Sequence, residues 1–277
     1  MEAVSFPQPV AIAVAPNGGR RIKADHPAIP LTPRELAHTA AECLDAGAAM
    51  IHAHVRKPDG THLLDAGAYR DVIAAIHGAV GDRMVIQITS EALGIYTPAE
   101  QRSVVRAVKP EAVSLALREL VPDDSEEAAF ADLLAWLKRE GVVPQIILYA
   151  PEEAVRLDAM WRRGLVPFDR IPVLYVLGRY TAGQTSTPAD LLPFLAPGMP
   201  RFAHWSVCAF GRHETACVTA GALLGGHARV GFENNLFRPD GTLADTNADL
   251  VSSVAETVRG CGLTVADADD LRCFSAD

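Results

Sequence analysis

Lysine is nearly missing from this chain of 277 residues. Lys23, Lys57, Lys109 and Lys138 are all it has, and none falls in an apolar run that reads as a strand. A Schiff-base mechanism therefore lacks a well-placed amine. Cysteine is sparse as well. Cys43, Cys208, Cys217, Cys261 and Cys273 are odd in number, widely spaced and form no CxxC, which argues against a disulfide framework and fits the reduced thiols of a cytoplasmic protein. Aromatic residues are only 6 % of the chain, so Ala, Val and Leu must fill the core. No apolar run reaches membrane-spanning length, and the opening MEAVSFPQPVAIAVAPNGG lacks a basic stretch ahead of an apolar core, so neither a membrane span nor a secretory signal is expected. Positive charge is in deficit, 25 Lys and Arg against 34 Asp and Glu. The net charge of −9 argues against a nucleic-acid or anionic-membrane partner, although a few local arginines can still hold an anionic metabolite. There is no GxSxG nucleophile elbow, no GxGxxG and no GxxxxGK[ST].

What the chain has is a repeat. Short, β-branched apolar runs at about 10–16, 49–55, 84–90, 112–117, 143–149, 171–177, 202–210 and 228–233 alternate with longer helical patterns. Thr32, Pro33 and Glu35 form a helix-start signature, and the spacing returns at Thr97, Pro98, Glu100 and at Thr187, Pro188, Asp190. Eight units of this kind, with no composition break, predict an α/β fold: one domain over 1–277, a closed (β/α)8 TIM barrel. The tail after Gly262 is short and acidic, and is expected against the barrel's outer wall or a neighbouring subunit.

In such barrels chemistry sits at the C-terminal ends of the strands. The run IHAH (51–54) puts His52 and His54 on one face of the second strand, because residues i and i+2 of a strand point the same way. Two convergent neutral imidazoles suit a divalent metal. Glu233 closes the eighth strand and completes a two-His, one-carboxylate set suited to zinc or another divalent ion; a helix cap or ion-pair acid is its other reading. Arg229 shares the phase of Glu233, so it points into the barrel and needs an anion, either Glu233 itself or a substrate carboxylate. Other polar strand ends are Asn17, Thr89, Ser90, Glu91, Arg118, Glu119, Tyr149, Arg212, His213, Asn234 and Asn235. The remaining histidines read as structural: His26 and His62 in loops, His204 in the core, and His38, His77 and His227 at the surface.

These segments resemble the β-keto acid cleavage enzyme family, once known as a domain of unknown function. The resemblance rests on AAMIHAHVR (48–56) with Asp59 and Gly60, on QITSE (87–91), and on RVGFENNL (229–236) followed by NADLV (247–251). It implies a (β/α)8 barrel assembled as a homotetramer, with a zinc ion on His52, His54 and Glu233. It implies that a β-keto acid condenses with acetyl-CoA, and that the adduct splits to acetoacetate and a new CoA thioester. The family's arginine falls on Arg229, and its hydroxyl residues at the third strand fall on Thr89 and Ser90. Where the family commonly has Glu-Asp-Asn, this chain has Glu233, Asn234 and Asn235. The aspartate is tied to proton transfer, so Asn234 cannot serve as that base, and Glu91 or Glu119 must substitute or the chemistry is altered. The candidate catalytic residues are thus Arg229, Asn234 and Glu91, and the candidate substrate-binding residues are Asn17, Thr89, Ser90 and Glu119. The first and fifth strands lack acids that recognise an amino group in some members, which implies a less cationic substrate. Two other readings stay open: a metal-dependent barrel lyase, aldolase or isomerase that needs no CoA, and a non-catalytic metabolite-binding relative.

Overall fold

The computed structural model describes residues 8–275. In chain order the strands are β1 (Ile12–Val14), β2 (Met50–Ala53), β3 (Val55–Arg56), β4 (His62–Leu63), β5 (Val85–Thr89), β6 (Ala112–Ala116), β7 (Val143–Leu148), β8 (Val173–Leu177), β9 (Trp205–Ala209) and β10 (His227–Val230). Eight of them close a parallel barrel in the order β1-β10-β9-β8-β7-β6-β5-β2, with β1 also paired to β2. The predicted (β/α)8 barrel is therefore the fold. Strands covered by helices outside and side chains inside are buried on both faces, as the continuous apolar runs require. Every residue of β2, β5, β6 and β8 is buried.

The helices are α1 (Pro33–Ala46), α2 (Ala66–Val80), α3 (Pro98–Val108), α4 (Leu117–Leu120), α5 (Glu127–Glu140), α6 (Pro151–Arg162), α7 (Leu192–Leu195), α8 (Glu214–Leu223), α9 (Asn247–Gly260) and α10 (Ala268–Ser275). The sequence signatures at Thr32 and Thr97 are reciprocal capping boxes with Glu35 and Glu100, and Thr246 with Asp249 makes another at the start of α9. The helix expected after Thr187 is only a 3-10 turn, Pro188–Leu191, running into the single turn of α7. Pro193 removes a donor there, and Pro197 and Gly198 follow at once.

The tail corrects an expectation. Instead of crossing the outer wall, α10 lies under the N-terminal mouth of the barrel. Leu271 and Ala268 cluster with Ala11, Met50, Val85 and Ala112, and Arg272 pairs with Glu111 at 2.8 Å. Phe274 stacks on His227 at 5.4 Å between ring centres, and His227 lies against His204 at 4.5 Å. His227 is therefore not a surface residue: it begins β10, is buried, and its Nδ1 accepts the Ala11 N–H at 3.1 Å. His204 is buried one residue ahead of β9.

Burial holds the His227 imidazole down to about 4, and burial together with His227 holds His204 down to about 3. Both stay neutral in the fold, whereas the unfolded chain takes up protons near 6.5. Their contribution to stability is thus complete above about pH 6.5 and is lost as pH falls from there toward 4. The urea midpoint should fall across that window. In His227→Asn, whose Oδ1 can still accept the Ala11 N–H, part of that slope should disappear; an unchanged slope would rule out His227 as a contributor.

Candidate active site

His52 stands on β2 and His54 directly after it. Their Nε2 atoms approach to 3.1 Å, with the rings edge to face. His52 Nδ1 donates to Gln87 Oε1 on the neighbouring β5 at 2.8 Å, which leaves Nε2 of the neutral ring bare. The Gln87 amide is fixed in turn, because its Nε2 donates to Gln145 Oε1 at 3.3 Å and Gln145 Nε2 donates to Ser206 Oγ at 3.4 Å. Burial, then the Arg229 cation, pushes His52 down to about 3, so it is an unprotonated donor at neutral pH.

Glu233 completes the group. Its Oε2 lies 3.4 Å from His54 Nε2 and 3.6 Å from His52 Nε2. One ligand atom from each of the three residues falls within 4.8 Å of the others. Among the described residues Glu233 Oε2 has no hydrogen-bond partner although it is buried. Tetrahedral donors at about 2.1 Å from zinc lie about 3.4 Å apart, so this spacing and donor chemistry fit such an ion. Burial opposes the charge on Glu233, but the Arg229 cation and then the contact with His54 outweigh it and keep the carboxylate ionised.

The turn that carries Glu233 is held from several directions. Gly231 has φ +136, and a Cβ there would lie 2.4 Å from the Ala15 carbonyl oxygen, so glycine is required at this crossing of β10 and β1. The Gly231 N–H donates to Glu214 Oε1 at 3.1 Å, and the Phe232 N–H to Asn247 Oδ1 at 2.8 Å. Arg21 caps the Phe232 carbonyl at 2.8 Å, and Glu233 N–H reaches Ala15 O at 3.0 Å. Gly18 is the matching gap on the other side, since a Cβ would come within 2.6 Å of Glu233 Cγ.

Arg229 does point into the barrel and is buried. Its Nη2 lies 3.4 Å from Glu233 Oε1 and 3.5 Å from Cys208 Sγ, while Nε and Nη1 have no partner among the described residues. Arg229 borders an inner cavity that His52, His54, Thr89, Glu91 and Glu233 also line. Glu91 Oε2 sits 3.6 Å from His54 Nδ1, and burial raises the Glu91 carboxyl above its usual range.

The other candidates divide. Thr89 faces the cavity, with its Oγ1 accepting the Glu91 N–H at 3.0 Å. Ser90 is fully buried away from it, and its hydroxyl donates to Ser114 O. Asn17 edges the outer mouth, but its carboxamide ties the β1 loop to the His54 backbone, accepting the His54 N–H at 3.3 Å and donating to His54 O at 3.0 Å. Glu119 holds the loop after β5 through the Ala92 N–H and Gln101 Nε2. Asn234 is fully buried beside Glu233, with both carboxamide atoms unpartnered among the described residues, and does not line the cavity. His26 is structural, bonded to Ala244 O. His62, expected in a loop, lies on β4 with its ring 5.8 Å from that of His54.

Two polar groups of the inner cavity, Ser114 and Arg179, were not singled out from the sequence. Ser114 lines the inner cavity, and Arg179 lines both that cavity and the outer mouth, where it stands 4.0 Å from Glu91 and stacks on Phe210 at 5.1 Å. Arg21 joins Arg20 and Gln184 at the mouth. Arg179 follows Gly178, directly beyond β8, and asking what stands after the sixth barrel strand would have found it.

Residues 9–274 match the family described as beta-keto acid cleavage enzyme. The 3-keto-5-aminohexanoate cleavage enzyme of Fusobacterium nucleatum is 29 % identical over 269 residues, 94 % of this chain and 95 % of that protein. The 3-oxoadipate:acetyl-CoA acetyltransferase of Cupriavidus necator is 27 % identical over 276 residues, 96 % and 94 % of the two chains. Among solved structures, ObcA in a ternary complex with a C4-CoA adduct and oxalate superposes with a TM-score of 0.72 at 17 % identity, over 90 % of this chain and 67 % of that one, a likeness of fold.

Proposed function

The chain belongs to the β-keto acid cleavage enzyme family, and from that premise we propose that it exchanges acyl groups between a β-keto acid and acetyl-CoA. In the exchange the C2–C3 bond of the keto acid and the C–S bond of acetyl-CoA break. A bond forms between the acetyl carbon and C2, giving acetoacetate, and the released acyl group takes the CoA sulfur. Every atom is accounted for without an oxidant or reductant. The observation that carries the reading is the donor set of His52, His54 and Glu233 on the cavity that Arg229 also lines, with Arg229 Nε and Nη1 unpartnered among the described residues. A divalent ion on those three residues, zinc in this reading, supplies Lewis acidity toward the keto oxygen.

The chain's own groups supply the rest. Arg229 offers Nε and Nη1 to the substrate carboxylate, a bidentate pairing that a guanidinium suits. Thr89 borders the same space and gives it a hydroxyl. A proton leaves C2 before carbon attack and one returns to C2 when the adduct splits, so a single carboxylate can serve both steps. Glu91 takes that part in this reading, since it lines the cavity and Glu119 is engaged outside it. Arg20 and Arg21 at the mouth suit the anionic end of CoA. We further propose a homotetramer in the cytoplasm. Five free thiols accord with a reducing compartment, and no described helix is long and apolar enough to cross a membrane.

The deciding measurement is acetoacetate release from a panel of β-keto acids, with and without acetyl-CoA and after chelator treatment. Turnover should need both acetyl-CoA and a divalent ion. Turnover in rigorously metal-free protein would reject the mechanism, product without acetyl-CoA would place the chain with CoA-independent lyases, and binding without turnover would mark a non-catalytic relative.

A further inference from the structure

We propose that the β-keto acid carries a short, uncharged, apolar tail; this rests on the β-keto acid reading above. The cavity has two halves set by the barrel order. Most of its polar lining comes from β2, β5, β10 and the turn after β10, with Ser114 of β6 and Arg179 beyond β8 added to it. Facing it are Ala116, Ile147, Tyr149, Val176 and Phe210, from the ends of β6, β7, β8 and β9. Ala116, Ile147, Val176 and Phe210 belong to one buried apolar cluster with Tyr149 packed on it. With the carboxylate end of the substrate at Arg229, the tail beyond the keto carbon falls against this wall.

Each charged alternative lacks its partner. A tail ending in a second carboxylate needs a free cation. Arg118, behind Tyr149, is paired with Glu153 at 2.6 Å, and Arg179 is offset by Glu91. A quaternary ammonium tail needs an open aromatic cage. Tyr149 and Tyr180 form an edge-to-face pair at 5.2 Å, but Arg118 already covers both, 4.6 Å and 4.8 Å from their ring centres. A primary amine needs an acid on the apolar wall, and none of the wall residues is acidic. Burying either charge there without a partner is costly, so discrimination should be large.

The test compares 3-oxohexanoate, 3-oxoadipate and 5-amino-3-oxohexanoate on the metal-loaded protein. It reads kcat/KM with acetyl-CoA and, separately, equilibrium binding by calorimetry without it. The propyl-tailed acid should lead both charged acids by at least about 100-fold in kcat/KM and should bind most tightly. Val176→Arg, which adds a cation to the wall, should move the preference toward 3-oxoadipate; the wild-type comparison decides the matter if that variant does not fold. A charged acid that equals or beats 3-oxohexanoate in the wild type overturns the inference. Tight binding of 3-oxohexanoate with no turnover of any acid leaves the apolar tail standing and removes the acyl-exchange reading. Failure of all three to bind removes both.

Discussion

Replacing His52 with alanine should lower kcat/KM by at least about a thousandfold and abolish stoichiometric metal binding, while the barrel still folds. A Lewis acid worth about 4 kcal/mol to the transition state corresponds to that factor. The fold should survive because His52 is a neutral ring in the strand interior, so its removal leaves no buried charge behind. The local cost is the acceptor left on Gln87, worth about 1–3 kcal/mol. A ligand that binds only the folded state raises its melting point, by about 2.7 kcal/mol of stability at a hundredfold excess over Kd. Zinc should therefore raise the Tm of the chelator-treated wild type and leave that of His52→Ala unmoved. A variant that keeps both the zinc-dependent Tm shift and turnover would show that the ion does not depend on this imidazole.

The fold was legible because eight apolar runs bounded by Gly, Pro and cap residues leave a parallel sheet little choice, and His52, His54 and Glu233 were legible because strand phase and strand end decide where they point. What escaped depends on contacts distant in sequence. The β3–β4 hairpin is two short pairs around a turn, too brief to show as a pattern. The amphipathic α10 reads as a polar tail until Leu271 and Phe274 meet the mouth of the barrel. His227 follows Gly225 and Gly226 and looks like a turn residue, but strand register buries it. Ser90 and Thr89 are adjacent and chemically alike, and only the strand's alternation sends Thr89 to the cavity and Ser90 to the Ser114 carbonyl. That Asn234 stands where the resemblance implies a carboxylate was plain in the sequence. That its carboxamide is buried off the cavity, with Glu91 on it, needed the coordinates.

Arg229 was left with two possible anions, and the geometry makes them separable. Its contact to Glu233 is a single long one at 3.4 Å, whereas Nε and Nη1 are buried and have no partner among the described residues. If those donors hold the substrate carboxylate, Arg229→Lys should keep the fold and the metal yet lose about 100-fold in kcat/KM, since a lysine supplies the charge without the fork. Arg229→Met should lose at least about a thousandfold and also destabilise the metal-free protein by about 3 kcal/mol, because Glu233 then stands as a mostly buried carboxylate without its cation. Adding Glu233→Gln to Arg229→Met should recover most of that stability and none of the turnover, a coupling that a double-mutant cycle measures directly. Chemical denaturation and steady-state kinetics on the four proteins of that cycle and on Arg229→Lys separate the two roles. Wild-type turnover in Arg229→Lys would reduce Arg229 to a counter-charge for Glu233.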